Sequence, residues 1–141
     1  SCDIITGFCS ETEDDHKDTL ELLVNCPFEF SYMYYYSERP GTLAARKYED
    51  DIDEDIKKRR LSEVINVQHD IAKKLNRAQE GKVHRVLIEM QSKKNENEWM
   101  GRNEQNIKVI FPKDHYNLGD FVDVIIERST TTSLIGKGIT K

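Results

Sequence analysis

The sequence predicts an α/β portion followed by a small all-β barrel. Up to Gly81, short apolar runs alternate with stretches whose apolar residues recur every three or four positions, as in strands and helices. Beyond Gly81 the apolar residues alternate singly, and turn sequences separate the runs. Residues 1–80 hold 11 Lys and Arg against 18 Asp and Glu, whereas residues 81–141 hold 10 against 8. We therefore expect two domains, 1–80 and 81–141.

A strand, a helix and a second strand are predicted in residues 3–37. DIITGF (3–8) suits a buried strand, and Ser10 or Thr12 can cap a helix that ends at Cys26-Pro27. The apolar face of this helix comprises Leu20, Leu23 and Val24. In FEFSYMYYYS (28–37), alternation places five aromatic residues on one face: Phe28, Phe30, Tyr32, Tyr34 and Tyr36. The order strand, helix, strand predicts a parallel pair.

A long helix is predicted from about Glu54 to Glu80, with Gly81 as the residue that ends it. Its packed stripe comprises Leu61, Val64, Ile65, Gln68, Ile71, Ala72 and Leu75. After this helix, apolar residues alternate with polar ones and predict four strands. The core residues of the first three strands are His84, Val86, Ile88 and Met90; Ile107, Val109 and Phe111; and Val122, Val124 and Ile126. The fourth strand is shorter and lies in SLIGKGI (133–139). Short strands at this spacing predict a closed, OB-like barrel.

Three residue types that bind ligands lie where the first two predicted strands end. Gly7 and Glu11 follow one strand, and Arg39 follows the other, directly before Pro40-Gly41. Because parallel strands bring their carboxyl ends to one edge, Gly7, Glu11 and Arg39 are candidates for an anion or amino-acid pocket. The alternative for Arg39 is a salt bridge to Glu38 or to the acidic segment 48–55.

Basic and amide residues in the predicted barrel could contact RNA. The candidates for phosphate and base-edge contacts are Lys93, Lys94, Arg102, Asn103, Gln105, Asn106 and Lys108. Trp99 could stack on a base or pack in the barrel. The alternative for the basic set is a solvated surface.

Metal and membrane functions find no support in the sequence. The three cysteines and four histidines show no metal-ligand spacing, and unpaired cysteines fit a reducing compartment. No basic and apolar leader opens the sequence, and no apolar run approaches the roughly 18 residues of a membrane span. We expect a soluble protein that begins at Ser1 as a piece of a longer chain.

Two motifs carry a family resemblance. GFCSETE (7–13) and YSERPGT (36–42), followed by Ala44, resemble the last strands of the barrel in radical S-adenosylmethionine methylthiotransferases, which usually show GFPGETE and YSxRPGTxA. KKRRLSEVINVQ (57–68) is similar to the connecting helix of that family, and residues 81–141 are similar to its TRAM domain. Cys9 and Ser10 depart from the usual Pro-Gly.

Within the family, the barrel segment is similar to one subgroup. SKK (92–94), Gly101-Arg102, Asn106 and SLIG (133–136) resemble the MiaB-type enzymes, which methylthiolate isopentenyladenosine beside the tRNA anticodon. The patterns typical of enzymes that act on threonylcarbamoyl-adenosine or on a ribosomal-protein aspartate are not found. His16 and Asn103 stand where an aromatic residue and a threonine are frequent.

The resemblance implies that the chain is the C-terminal third of such an enzyme. It would comprise the terminal βαβα portion of a partial TIM barrel and an OB-like TRAM barrel. The parent would use S-adenosylmethionine and two 4Fe–4S clusters, bound by cysteines upstream of Ser1, so the fragment alone would be inactive and would hold no catalytic residue. Gly7, Glu11 and Arg39 would bind cofactor or substrate, and the aromatic strand would pack the barrel.

The resemblance also implies a partner and a place in the cell. Lys93, Lys94, Arg102, Asn106 and Lys108 would bind the anticodon arm of tRNA. The full-length enzyme would be a monomer in the cytoplasm, or in mitochondria if the source is eukaryotic. Two rival functions stay open on the sequence: a stand-alone RNA-binding module with a helical arm, and an interaction domain whose acidic first half binds a protein.

Overall fold

The chain folds into two compact units, each with its own hydrophobic core. The structure is a computed structural model and describes residues 1–139. The first unit is Ser1–Ile71, and the second begins at Ala72. An α/β portion followed by a closed β-barrel confirms the predicted fold class. The predicted domains 1–80 and 81–141 assign the last turns of the long helix differently, and that boundary stays a prediction.

The first unit contains two parallel strands and three helices. In chain order they are β1 (Cys2–Thr6), α1 (Glu13–Asn25), β2 (Ser31–Tyr35), α2 (Leu43–Lys47) and α3 (Glu54–Arg77), of which the last enters the second unit. β1 and β2 pair from Cys2↔Ser31 to Thr6↔Tyr35, which confirms the predicted parallel pair. Thr12, not Ser10, caps α1, because its hydroxyl accepts from the Asp15 N–H while the Asp15 carboxylate accepts from the Thr12 N–H.

One face of the two-stranded sheet packs on the helices. Ile4, Leu23 and Val64 form the buried centre of this core. Gln68, the polar member of the predicted α3 stripe, accepts a hydrogen bond from the Ser31 hydroxyl and donates one to the Phe28 carbonyl, so its burial leaves no polar group unpaired. The predicted α1 face was wrong at one position. Val24 is 62% exposed.

The opposite face of the sheet is uncovered within residues 1–139. Ile5, Tyr32 and Tyr34 are each more than half exposed, and Phe30 contacts Tyr32 edge to face. Of the five aromatic residues predicted on one face, Phe30, Tyr32 and Tyr34 are exposed, whereas Phe28 packs against the core. Ser31, which alternates with them, is buried. Alternation alone assigns residues to two faces without identifying the buried one.

Helix α3 ends at Arg77, three residues before the predicted end. The N–H groups of Gln79 and Glu80 donate to carbonyls three residues back, those of Asn76 and Arg77, which tightens the chain into a turn. Gly81 follows with φ of 81°, a conformation that favours glycine. None of the helices in residues 1–139 combines the length and apolar character needed to cross a bilayer.

Five strands close into a barrel in the second unit. They are β3 (Val83–Gln91), β4 (Glu98–Asn103), β5 (Lys108–Pro112), β6 (Phe121–Ser129) and β7 (Leu134–Gly138), in the order β3-β4-β5-β7-β6. All neighbouring strands are antiparallel except β5 and β7, which pair in parallel at Val109↔Leu134 and Ile110↔Ile135. The closed, OB-like barrel predicted from the alternation is therefore confirmed.

The barrel interior is filled by alternate residues of every strand. Its buried residues are Val86, Ile88, Val109, Phe111, Val122, Val124, Ile126 and Leu134. Met90 was predicted to join them but is 42% exposed, because the register shifts between Ile88 and Met90. At Gly101, a Cβ would overlap the Leu87 carbonyl, so β3 and β4 approach more closely there than any larger residue allows.

Candidate functional site

The loop after β1, residues 7–13, holds two of the predicted cofactor-binding residues in contact. Gly7 has φ of 68°, and its N–H donates to Glu11 Oε2 over 2.9 Å. Glu11 Oε1 accepts from Arg60 Nη1 over 2.8 Å, and the Glu11 side chain is only 14% exposed. Both carboxylate oxygens of Glu11 therefore shape this loop, which is a positioning role.

Arg60 of α3 binds residues of loop 7–13. The sequence did not identify Arg60 as part of this site. The Arg60 residue is 3% exposed, and its guanidinium also donates to the Glu11 carbonyl over 3.0 Å and, from Nη2, to Glu13 Oε1 over 2.7 Å. The hydrogen bond from Arg60 is the main reason why the pKa of Glu13 lies below its ordinary value. A buried guanidinium with carboxylate partners on one short loop fixes that loop against α3.

Lys57, one turn earlier on α3, supports both strand ends. Its side chain is buried, makes an ion pair with Asp50 and places Nζ 5.3 Å from the centre of the Tyr36 ring. A Cβ at Gly7 would overlap the Lys57 side chain, so glycine is required there. The Tyr36 N–H donates to the Thr6 carbonyl, which joins the ends of β2 and β1. Burial, followed by the neighbouring Cys9 thiol, raises the pKa of Tyr36.

The segment after β2 forms a turn that leaves the Arg39 side chain in solvent. The Arg39 carbonyl accepts from the Thr42 hydroxyl over 2.8 Å, and the same hydroxyl accepts from the Ala45 N–H as the cap of α2. Gly41 has φ of 84°. Arg39 is exposed, and within residues 1–139 its guanidinium makes no ion pair, neither with Glu38 nor with the acidic segment. The turn and the helix cap therefore explain why Pro40, Gly41 and Thr42 occur here. The Arg39 guanidinium is available to bind a ligand.

Three of the five predicted RNA-binding residues lie together on the outer face of the barrel. Arg102 points outward from β4 and pairs in register with Lys108 of β5. Its Nη1 donates to the Asn106 carbonyl over 2.9 Å and to Asn106 Oδ1 over 3.2 Å, while its Nε lies 3.3 Å from a carboxylate oxygen of Glu89. Arg102, Asn106 and Lys108 therefore form one polar cluster.

The other two residues lie at the opposite end of the same strand. Lys93 and Lys94 are exposed in the turn that precedes β4, which begins at Glu98. At roughly 3.3 Å per residue, Arg102 lies about 13 Å further along the strand. The structure does not bring Lys93 and Lys94 into the cluster around Arg102.

Trp99 and Asn103 serve the barrel instead of facing a base. The Trp99 indole N–H donates to the Tyr116 carbonyl over 3.0 Å, and Lys113 Nζ lies 4.5 Å from the ring centre. Asn103 is buried, and its Oδ1 accepts from the Ile107 N–H. Its Nδ2 must then donate to His84 Nδ1, 3.1 Å away, so this imidazole nitrogen is unprotonated. The packing alternative for Trp99 is the one that the structure supports.

The residues present do not fit an iron–sulfur cluster. Cys9 is buried, Cys2 half-buried and Cys26 exposed. In the part of the chain that the structure describes, no three His, Cys, Asp or Glu side chains converge as a metal site would require. Clusters of the kind that the resemblance implies would need ligands other than residues 1–139.

One protein-family model matches part of this chain, and several relatives match all or nearly all of it. A TRAM domain model matches residues 77–139. The chain is 52% identical, over its whole length, to the tRNA-2-methylthio-N(6)-dimethylallyladenosine synthase of Amoebophilus asiaticus. It is 50% identical over 99% of its length to the synthase of the same name from Christiangramia forsetii, and 48% over 99% to that of Flavobacterium psychrophilum. The chain spans 29% of the length of each of these relatives.

Proposed function

We propose that this chain belongs to the methylthiotransferase family of these relatives and forms part of a tRNA methylthiotransferase acting on N(6)-dimethylallyladenosine, because about half of its residues are identical to theirs and a TRAM domain model matches residues 77–139. N(6)-dimethylallyladenosine is another name for the isopentenyladenosine mentioned above. The observation that carries the proposal is identity of about one residue in two over matches that span all or nearly all of the chain, and therefore both units. The first unit would complete the end of the catalytic barrel, and the second would bind the anticodon arm of tRNA.

The residues of this chain would bind and orient the cofactor and the substrate. They would not carry out the reaction themselves. S-adenosylmethionine, together with iron–sulfur clusters held elsewhere, would supply the radical that activates the C–H bond of the base. The Arg39 guanidinium suits the carboxylate of that cofactor or a phosphate of the substrate, since it presents several donors in one plane. Glu11 and Gly7 would set the shape of the neighbouring loop. We propose a monomeric enzyme that works in the cytoplasm.

The proposed substrate is tested by nucleoside mass spectrometry. Total tRNA from cells that lack the gene should lose the methylthio nucleoside and accumulate N(6)-dimethylallyladenosine. Restoring the gene should reverse both changes. If the methylthio nucleoside persists in the deletion strain while no second enzyme of this family is present, the proposed substrate is wrong, and threonylcarbamoyl-adenosine becomes the next nucleoside to measure.

The role of Arg39 is tested in the full-length enzyme. Arg39→Ala should lower the rate of methylthiolation while the circular dichroism spectrum stays unchanged, because the side chain is exposed and makes no ion pair in residues 1–139. Arg46→Ala is the matched control, since Arg46 is an exposed arginine in the last turn of α2. Equal rates for the two variants would contradict a ligand-binding role for Arg39.

RNA binding is tested through its dependence on salt. Binding of unmodified tRNA to the full-length protein should weaken as salt rises, since each phosphate contact adds about −0.7 to the logarithmic slope for single strands. Arg102→Gln should reduce that slope by about one contact, whereas Lys73→Gln, an exposed position on α3, should leave it unchanged. A protein that does not bind tRNA at low salt would contradict the proposal.

A further inference from the structure

Four outward residues form a continuous row across the barrel. Lys108 of β5 pairs with Arg102 of β4, Arg102 pairs with Leu87 of β3, and Leu87 pairs with Phe121 of β6. Since neighbouring strands lie about 4.8 Å apart, the row is about 14 Å long. It runs from two cations at one end to an aromatic ring at the other, at right angles to the strands.

Phe121 is the most unusual member of this row. It is 62% exposed, because neighbouring residues of a strand point to opposite faces and Val122 is the one that fills the barrel interior. The Arg85 guanidinium lies 4.9 Å from its ring centre, and within residues 1–139 Arg85 makes no ion pair. Two shallow depressions meet at this pair, one toward Arg102 and one toward Tyr116.

We propose that Phe121 and Arg85 form a stacking platform for one unpaired nucleobase, with the adjoining phosphates on Arg102 and Lys108. The proposal rests on the proposed function, because it names the RNA contact of the same barrel face. Every base has a π-face that can stack on an exposed ring, and an arginine over the ring adds a further planar cation. The row matches a single strand, whose bases and phosphates lie on opposite sides of its path.

The charges along the row agree with an RNA strand that competes with a carboxylate for Arg102. Arg85, Arg102 and Lys108 are cations, and Leu87 supplies the apolar surface between them. Three carboxylates oppose these cations. Asp123 pairs in register with Arg85, and Glu104 lines the same depression as Arg102. The third is Glu89, whose carboxylate is paired with Arg102 in the free protein. A phosphate must displace that carboxylate to bind Arg102, so Glu89→Gln should tighten RNA binding.

The test uses the full-length protein and a fluorescein-labelled octamer of adenosines, single-stranded or paired with its complement. Phe121→Ala should weaken binding of the single strand about 5- to 150-fold, the change expected for loss of one stacked base. It should leave the salt slope unchanged, since no phosphate contact is lost, and it should leave duplex binding unaffected. Phe121→Tyr keeps a ring and should bind nearly as the wild type. Val83→Ala, an exposed apolar position four residues from Leu87 on β3, is the matched control.

A direct spectroscopic readout separates stacking from a loss of fold. Phe121→Trp should place an indole against the base, and the added fluorescence should be quenched when the octamer binds. If the wild type binds the octamer but Phe121→Ala binds it equally well, the platform is refuted and the proposed function survives. If the wild type binds neither the octamer nor tRNA, the proposed function itself fails. Equal losses for Phe121→Ala and Phe121→Tyr would also refute stacking, because the ring would not be the group that matters.

Discussion

Replacing Arg60 with methionine should destabilise the first unit by about 3 kcal/mol. Arg60 is 3% exposed, and its guanidinium makes four hydrogen bonds, of which two reach Glu11 and two reach the Glu13 carboxylate. Removing one partner of a buried ion pair costs about 3–5 kcal/mol, because the remaining charge stays buried. The lower value applies here, since the Glu13 side chain is 52% exposed and regains water when Arg60 is lost.

The measurement is urea unfolding of the full chain, followed by far-ultraviolet circular dichroism, which reports on the helices. Arg59→Met is a close control, because Arg59 also pairs with Glu13 but its side chain is 45% exposed, and it should destabilise the unit clearly less than Arg60→Met. In a double-mutant cycle, Glu11→Gln and Arg60→Met should show a coupling free energy of about 1–2 kcal/mol. Hydrogen exchange should become faster in residues 7–13, where Gly7 loses its fixed acceptor.

Two results would refute this reasoning. One is a free energy of unfolding for Arg60→Met within about 0.5 kcal/mol of the wild type, which would mean that water already reaches the pair. The other is additivity in the cycle, which would mean that Glu11 and Arg60 do not depend on each other.

Two further predictions concern the barrel, whose unfolding is reported by the fluorescence of Trp99, the one tryptophan of the sequence. Burial is the main cause that lowers the pKa of His84 below its ordinary 6.5, so the folded state binds fewer protons than the unfolded chain, and the free energy of unfolding should fall as pH decreases from about 6.5 through the lower folded pKa. His84→Gln should abolish this pH dependence, and an unchanged dependence would assign it to another group. Gly101→Ala should cost about 1–3 kcal/mol, because the new Cβ would meet the Leu87 carbonyl, and an unchanged urea midpoint would contradict the close approach of β3 and β4.

The barrel could be predicted from the sequence because each of its strands has one buried and one exposed face. Val122, Val124 and Ile126 alternate without interruption, and all three are buried. The exception is Met90, which follows a register shift that alternation does not reveal. Phe121 was overlooked although alternation places it opposite the buried Val122, because the sequence alone does not distinguish a binding ring from other exposed residues of the strand.

The first unit was less predictable because charged residues take part in its packing. The predicted packed stripe began at Leu61 and left out Arg60 and Lys57, although positions 57, 60, 64 and 68 continue the spacing of the buried stripe. The partners of Arg60 in the loop after β1 lie more than 40 residues away in sequence, so the local sequence pattern cannot identify them. Arg39 was placed correctly at a strand end, and what its side chain contacts stays a prediction.

The way in which the barrel closes has a consequence for how it is made. β7 supplies both final ladders, an antiparallel one to β6 and a parallel one of two residue pairs to β5. Until Leu134–Gly138 has left the ribosome, β5 and β6 each have an unpaired edge, and such edges pair readily with other chains. The edges of the barrel are paired only after β7 has emerged. A premature stop upstream of Leu134 should therefore yield a product that aggregates, and not merely one that binds RNA more weakly.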